Sequence, residues 1–133
     1  ERSSKERLPF LPLWLDATNP SPSQGWNEAE RAGFSRRVRG DAVLALAFVH
    51  HLAIARNVPL GQVIDWIMST APAGVIEFPP KSDPMVQQLL SRREDIFPDY
   101  DEPHFLAEVE KRGRIVATEH LSEGGRLLVR YER

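Results

Sequence analysis

Residues 41–54, DAVLALAFVHHLAI, decide how the rest of the chain is interpreted. The stretch begins with an acidic residue, continues with an unbroken apolar run, and then presents two adjacent histidines before a helical pattern. Such a run is typical of a strand buried on both faces, and therefore of a parallel sheet covered by helices. We expect 41–47 to be a central strand. His50 and His51 would then follow its carboxyl end, where open α/β sheets bind their ligands.

The composition is that of an ordinary folded domain. The chain has 133 residues, of which 41% are hydrophobic and 27% charged, with a formal net charge of -2. This balance predicts no broad electrostatic surface for nucleic acid or for an anionic membrane. The sequence contains no cysteine, which excludes disulfides and thiolate catalysis and fits a reducing compartment. No apolar run is long enough to span a bilayer, so we expect a cytoplasmic protein.

The order of predicted elements indicates an α/β fold. Alternating apolar and helical patterns, together with turn residues and helix caps, separate the strands from the helices. The predicted strands cover 10–15, 41–47, 74–78, 114–121 and 126–131, and the predicted helices cover 27–38, 49–56, 60–70, 83–90 and 101–111. The last two strands flank a turn at 123–125 and would close a mostly parallel sheet with an antiparallel hairpin. Pro12 marks 10–15 as an edge strand.

Three stretches resemble the second half of class I S-adenosylmethionine-dependent methyltransferases. LPLWLDATNPSP at 11–22 is similar to the third strand and its loop, and DAVLALAFVHHLAI to the fourth strand and the motif after it. GVIEFPPKSDPMVQQLL at 74–90 resembles the fifth strand and the next helix, and the closing hairpin resembles the sixth and seventh strands. The resemblance implies a partial Rossmann-like sheet with helices on both faces, S-adenosylmethionine as cofactor, and a small-molecule or macromolecular methyl acceptor.

The chain departs from this family in one respect. The glycine-rich loop that holds the methionine part of the cofactor is missing, as is the second strand with its ribose-binding acidic residue. The polar opening ERSSKER at 1–7 leads directly into an apolar segment. We therefore expect 1–133 to be one domain that forms the C-terminal portion of a larger methyltransferase domain and is inactive alone. Strand 10–15 would lack its neighbour, which favours displacement or self-association through an exposed sheet edge.

The resemblance implies a cofactor site formed by two segments. Asp16, directly after a strand, would accept a hydrogen bond from the adenine amino group, and Ala17 would offer its backbone N–H. Leu46 and Ala47, at the end of the fourth strand, would line the cofactor. The alternative for Asp16 is an ordinary turn in which its side chain bonds the nearby backbone.

His50 and His51 are the predicted catalytic residues. By resemblance they lie near the methyl donor, where a histidine can act as a general base because its pKa is close to neutral. Adjacent helical residues point in different directions, so at most one of them would face the site. The alternative is that one packs while the other faces solvent. Adjacent histidines are a poor metal-binding arrangement, so we predict no metal site and disfavour a metal-dependent hydrolase.

The predicted substrate residues are Asn19, Glu77 and Lys81. Asn19 lies in the loop after the first strand, and Glu77 and Lys81 flank the two prolines after strand 74–78. The alternative for Glu77 is a plain ion pair with Lys81. Asp83, before Pro84, is most simply a helix cap.

Two further expectations concern the chain as a whole. Trp14 and Trp66 are expected in the core. A non-catalytic α/β interaction module is the alternative to an enzyme, and the missing glycine-rich loop favours it.

Overall fold

The computed structural model describes residues 9–121 and 125–133. These form two compact units, one that ends at Phe34 and one over Ser35–Arg133. None of the helices in this part of the chain combines the length and apolarity that crossing a membrane would require.

The first unit contains little regular structure over residues 9–34. The expected edge strand at 10–15 is wrong, because this segment is neither helix nor strand and makes no ladder hydrogen bonds. A strand needs a partner, and the described part of this unit supplies none. Trp14 is almost fully exposed, so its expected place in the core is also wrong.

The helix expected over 27–38 is interrupted. A 3-10 turn at Trp26–Glu28 contains Asn27 at a φ of 52°, a left-handed backbone that ends helical winding. An isolated bridge between Gln24 and Arg31 follows, and the first α-helix, α1, covers only Phe34–Arg37.

The described part of the second unit holds four strands and four further helices. Their bounds are β1 at Val43–Ala45, α2 at Val49–Ala53, α3 at Leu60–Thr70, β2 at Ala73–Phe78, α4 at Pro84–Leu90, α5 at Glu102–Glu110, β3 at Arg114–His120 and β4 at Leu127–Glu132. Every helix and strand predicted after residue 40 is therefore present, although several are shorter. The predicted turn at 123–125 lies mostly outside the described residues.

The sheet is mixed rather than mostly parallel, with the order β1-β2-β4-β3. β1 and β2 are parallel, whereas β2–β4 and β3–β4 are antiparallel. The α/β class and the closing antiparallel hairpin are therefore confirmed, while the expectation of a mostly parallel sheet is wrong. The reason is that β4 inserts between β2 and β3, so only one of the three pairings in the described sheet is parallel.

β1 is shorter and less buried than its sequence suggested. Only Val43–Ala45 pairs with β2, and β1 lies at one edge of the described sheet instead of its centre. The Leu44 side chain is 70% exposed, whereas Ala45 is buried. An apolar run favours a strand, but burial on both faces also requires neighbours that the described residues do not supply.

The core lies between the sheet and the helices. The predicted apolar stripe of α3, which comprises Val63, Ile64, Ile67 and Met68, is confirmed as fully buried. Trp66 flanks it and is half-buried. Phe78 at the end of β2 stacks on Phe105 with ring centroids 4.8 Å apart, and the tilted Tyr100 ring lies 4.9 Å from it.

Two helix starts follow the caps that were predicted. The side chain of Asp83 accepts a hydrogen bond from the Met85 amide at 2.9 Å and begins α4. The side chain of Asp101 does the same for the His104 amide at 2.9 Å and begins α5. In both cases a carboxylate satisfies an amide that the helix leaves unpaired.

Candidate functional site

The parallel pairing of β1 with β2 brings two segments together at the carboxyl edge of the sheet. Ala47 follows β1, and Glu77 is near the end of β2. The Ala47 amide donates a hydrogen bond to Oε2 of Glu77 at 2.7 Å. The chain therefore turns out of β1 while it is tied to a carboxylate on the next strand.

Ala47 has an unusual backbone conformation. Its φ of 49° lies in the left-handed region, which costs an L-residue about 1–2 kcal/mol. The charge-assisted bond to Glu77 offsets part of that cost. Strained residues of this kind concentrate at functional sites, so this turn is a candidate ligand contact. Leu46 and Ala47, the predicted cofactor residues of this segment, are both exposed at this edge.

Arg126 joins Glu77 to a second carboxylate. Its Nη1 donates to Oε1 of Glu77 at 2.8 Å, and its Nε donates to Oδ2 of Asp83 at 2.7 Å. Glu77 is buried, and Asp83 is only 2% exposed. The same Asp83 caps α4, so one guanidinium connects the end of β2, the start of α4 and the beginning of β4. We call these three side chains and the Ala47 amide the carboxyl-edge network.

The electrostatics of the network follow from these contacts. The hydrogen bond from Arg126 holds the pKa of Asp83 below its usual range, with the Met85 amide adding to the effect. The two carboxylates together raise the pKa of Arg126. A buried carboxylate requires such a partner, because an unpaired charge in this environment is strongly disfavoured.

The alternative reading of Glu77, an ion pair with Lys81, is not found among the described residues. Lys81 instead binds Asp95, with its Nζ 2.7 Å from Oδ2, on a more exposed surface. Pro79 and Pro80 separate Glu77 from Lys81 along the chain. The structure thus does not bring these two predicted substrate residues together.

The two histidines in α2 have different surroundings. His50 is 1% exposed, whereas His51 is exposed, and their ring centroids are 4.1 Å apart. Burial, followed by the charges of His51 and Arg126, lowers the pKa of His50 to about 4, against the opposing charges of Asp83 and Glu77. Among the described residues, no group hydrogen-bonds to Nδ1 of His50.

His50 is therefore a neutral imidazole held beneath the surface next to the carboxyl-edge network. In this position it packs against neighbouring groups, and its Nδ1 is buried. A catalytic role for either histidine stays a prediction. No group of three His, Asp or Glu side chains suited to a metal ion occurs within residues 9–121 and 125–133.

The remaining predicted residues lie in the first unit. Oδ1 of Asp16 accepts hydrogen bonds from the Thr18 amide at 3.0 Å and the Thr18 hydroxyl at 2.7 Å. The Asn19 amide donates to the Asp16 carbonyl at 3.1 Å, which closes a turn around Ala17. These contacts match the turn alternative for Asp16. An additional role in binding adenine stays a prediction, as does substrate binding by the exposed Asn19.

Arg126 belongs to the candidate site and was not predicted from the sequence. In the sequence it follows two glycines and begins a predicted strand. At such a position, the sequence alone does not distinguish a buried, paired arginine from an exposed one. The usable signal was Glu77, a carboxylate inside an apolar strand, since such a group requires a cation nearby. Pairing the hairpin with β2 would then have placed Arg126 near it.

A curated protein is similar to this chain over the whole length of the chain. No family model matches the chain, and no solved structure matches it. Nodulation protein NoeA of Rhizobium meliloti (strain 1021) is 54% identical over 134 residues, which covers 100% of this chain and 28% of NoeA. The chain therefore spans less than a third of the length of this curated relative.

Proposed function

We propose that this chain is the C-terminal part of a class I S-adenosylmethionine-dependent methyltransferase domain and is inactive alone. The supporting observation is the arrangement of the sheet. The resemblance assigns β1 and β2 to the fourth and fifth strands, and β3 and β4 to the sixth and seventh. A last strand that runs antiparallel beside the fifth strand agrees with that assignment.

The carboxyl-edge network supports the same proposal. Ligands of open α/β sheets bind outside the carboxyl ends of the strands, and the network lies at that edge. Its bond to the Ala47 amide fixes the backbone of the segment that the resemblance assigns to the cofactor. Methyl transfer is a direct displacement in which correct positioning supplies much of the rate, so a rigid cofactor-facing turn suits this chemistry.

Each unit offers residues that fit only part of the cofactor. In the second unit, the exposed Leu46 side chain offers an apolar surface at the carboxyl edge. In the first unit, by the same resemblance, Asp16 would offer a carboxylate acceptor and Ala17 a backbone amide. When bound, S-adenosylmethionine supplies an electrophilic methyl group. The sequence holds no glycine-rich loop for its methionine part, so other residues must provide that contact.

The free edge of β1 supports a longer functional unit. On one side β1 pairs with β2, and on the other side the described residues supply no partner. We propose that a further strand of the complete domain pairs there and covers Leu44. The greater length of the NoeA relative is compatible with this arrangement. The methyl acceptor would be a small molecule or a macromolecule in the cytoplasm.

Calorimetric titration with S-adenosylhomocysteine tests the proposal. We expect saturable binding to the longest protein that carries this sequence, and little or none to residues 1–133. In the long protein, Asp16→Ala should weaken binding by about tenfold, the loss expected for one hydrogen bond. Thr18→Val, which removes only the local turn contact, should change it less than about twofold.

The methyltransferase proposal and the role of Asp16 in adenine binding can each be contradicted by a different result. The absence of binding by the long protein would rule out the methyltransferase. Equal effects of Asp16→Ala and Thr18→Val would reduce Asp16 to a turn residue while leaving the enzyme intact.

A non-catalytic interaction module is the second candidate. The observation that favours it is a group of large apolar side chains exposed in the first unit, namely Phe10, Leu11, Leu13, Trp14 and Trp26. Such groups mark contact surfaces on soluble proteins. A module of this kind would also self-associate, and light scattering measures that. If two copies of the chain pair through the open edge of β1, substitution of Leu44 should reduce the self-association. Failure of the long protein to bind S-adenosylhomocysteine would favour this alternative.

A further inference from the structure

A chain of two hydrogen bonds joins Arg126 to the backbone that follows β1. Nη1 of Arg126 donates to Oε1 of Glu77 at 2.8 Å, and Oε2 of the same carboxylate accepts from the Ala47 amide at 2.7 Å. Nε of Arg126 donates to Oδ2 of Asp83 at 2.7 Å, which anchors the guanidinium at a second point. Arg126 is therefore linked to Ala47 through Glu77, although the two residues lie in segments that are far apart in the sequence.

The Glu77 carboxylate depends on Arg126 for its position. Glu77 is 6% exposed, so its charge is compensated by protein groups more than by water. Its two oxygens accept from different donors, one from Arg126 and one from Ala47. Without the guanidinium, this buried carboxylate would lack its cation and would turn toward solvent. That movement would break its bond to the Ala47 amide.

The segment 46–48, which we call the Ala47 turn, depends in the same way on Glu77. Leu46 and Ala47 are both exposed, so burial does not hold their backbone in place. Ala47 has a φ of 49°, in the left-handed region that an L-residue adopts at a cost equivalent to about five- to thirtyfold in population. Loss of the bond to Glu77 should therefore let the turn relax to ordinary backbone conformations.

We propose that Arg126 is the positioning residue of the Ala47 turn. Arg126 holds Glu77, and Glu77 holds the Ala47 amide, so a turn with an unfavourable backbone conformation is formed before a ligand arrives. Such preorganisation favours binding, because the protein does not have to order the turn when the ligand binds. Where it concerns S-adenosylmethionine, the inference rests on the proposed function, in which this turn contacts the cofactor.

NMR of the 133-residue chain tests the link between Arg126 and the turn. The three-bond coupling between the amide and α protons of Ala47 reports φ, and it does not change with global stability while the chain stays folded. Arg126→Met should change this coupling and remove the downfield shift that a short bond to a carboxylate gives the Ala47 amide proton. Arg114→Met is the matched control and should alter neither signal, because Arg114 pairs with Glu132 at 2.8 Å on an exposed part of the sheet.

Arg126→Lys keeps the test valid if the methionine variant does not fold. A lysine presents a point charge without the planar fork that reaches both carboxylates. It should change both Ala47 signals in the same direction as Arg126→Met, and Arg114→Lys should leave them as they are.

Calorimetric titration of the longest protein that carries this sequence tests the consequence for binding. A turn that is in the binding conformation for about a tenth of the time binds about tenfold more weakly. Arg126→Met should therefore weaken the binding of S-adenosylhomocysteine by at least about fivefold, and Arg114→Met by less than about twofold.

The possible failures are distinguishable. Unchanged Ala47 signals in a folded Arg126 variant would overturn the inference, as would equal changes in the matched Arg114 variant. Unchanged affinity of an Arg126 variant, in a protein whose unsubstituted form binds S-adenosylhomocysteine, would also overturn it and would leave the methyltransferase proposal standing. Failure of the unsubstituted long protein to bind would instead rule out the methyltransferase, and the NMR result would still decide whether Arg126 positions the turn.

Discussion

The buried imidazole of His50 should make the chain less stable as the pH falls below neutral. Its pKa is lowered from 6.5 to about 4, because it is 1% exposed and because the charges of His51 and Arg126 oppose a further positive charge. The unfolded chain binds a proton at this histidine below about pH 6.5, whereas the folded chain does so only near pH 4. The contribution of the neutral His50 to the free energy of unfolding is therefore complete above pH 6.5, and it is lost as the pH falls from 6.5 to 4.

The magnitude follows from the difference between the two pKa values. A pKa unit corresponds to about 1.4 kcal/mol, so the full effect is about 3 kcal/mol. Between about pH 7 and pH 5 the free energy of unfolding should fall by about 2 kcal/mol from His50 alone. This window lies above the range in which Asp83, with its lowered pKa, loses its charge.

His104 acts in the opposite direction and must be controlled. The hydrogen bond with Asp101, together with the charges of Asp101 and Asp99, raises its pKa. Its contribution is present at low pH and is lost as the pH rises through that raised pKa, so acidification strengthens it. The experiment is therefore made in a His104→Asn background, with and without His50→Leu.

Urea unfolding followed by circular dichroism measures the result. His50→Leu should remove the loss of about 2 kcal/mol between about pH 7 and pH 5. Near neutral pH it should change stability by less than about 1 kcal/mol, since Nδ1 has no hydrogen-bond partner among the described residues. The more conservative His50→Gln repeats the test if leucine does not fit. An unchanged pH dependence in either folded variant would refute the reasoning.

Three further predictions follow from single contacts. Arg126→Met leaves two buried carboxylates without their cation. Urea unfolding should show that the free energy of unfolding falls by about 3 kcal/mol. A loss below about 1 kcal/mol would contradict a buried network. Gly74→Ala would place a Cβ 2.5 Å from the Val43 carbonyl oxygen across the β1–β2 pair. Urea unfolding should therefore show a free energy of unfolding that is lower by about 1–3 kcal/mol. An unchanged free energy of unfolding would contradict this packing. Asp101→Ala should lower the pKa of His104 toward 6.5 in an NMR titration, and an unmoved pKa would mean that their hydrogen bond is not formed in solution.

The helices of the second unit were the easiest part to predict. The apolar stripe of α3 and the caps Asp83 and Asp101 are local signals, because spacing and cap chemistry act within a few residues. The structure places all three as expected. The hairpin β3–β4 was equally readable, since its strands are close in sequence.

The candidate site was only partly predictable. Glu77 and His50 were predicted as site residues because each is a polar residue in or just after an apolar strand, at the edge of the sheet where ligands bind. Their partners were not, since Arg126 lies 49 residues from Glu77 and meets it only when β4 pairs with β2. Lys81, the partner in the alternative reading, is the nearest cation in sequence, but it pairs with Asp95 instead.

By itself, the amino-acid sequence determined the order and approximate positions of the helices and strands after residue 40, and the two carboxylates, Asp83 and Asp101, that begin α4 and α5. These properties depend on interactions between residues a few positions apart. Tertiary structure alone decided that β1 lies at an edge, that β4 inserts beside β2, and that one guanidinium joins two buried carboxylates. Strand order and ion pairing depend on contacts between segments that are distant in sequence. Such contacts produce no repeating pattern of residues, so the sequence alone does not reveal them.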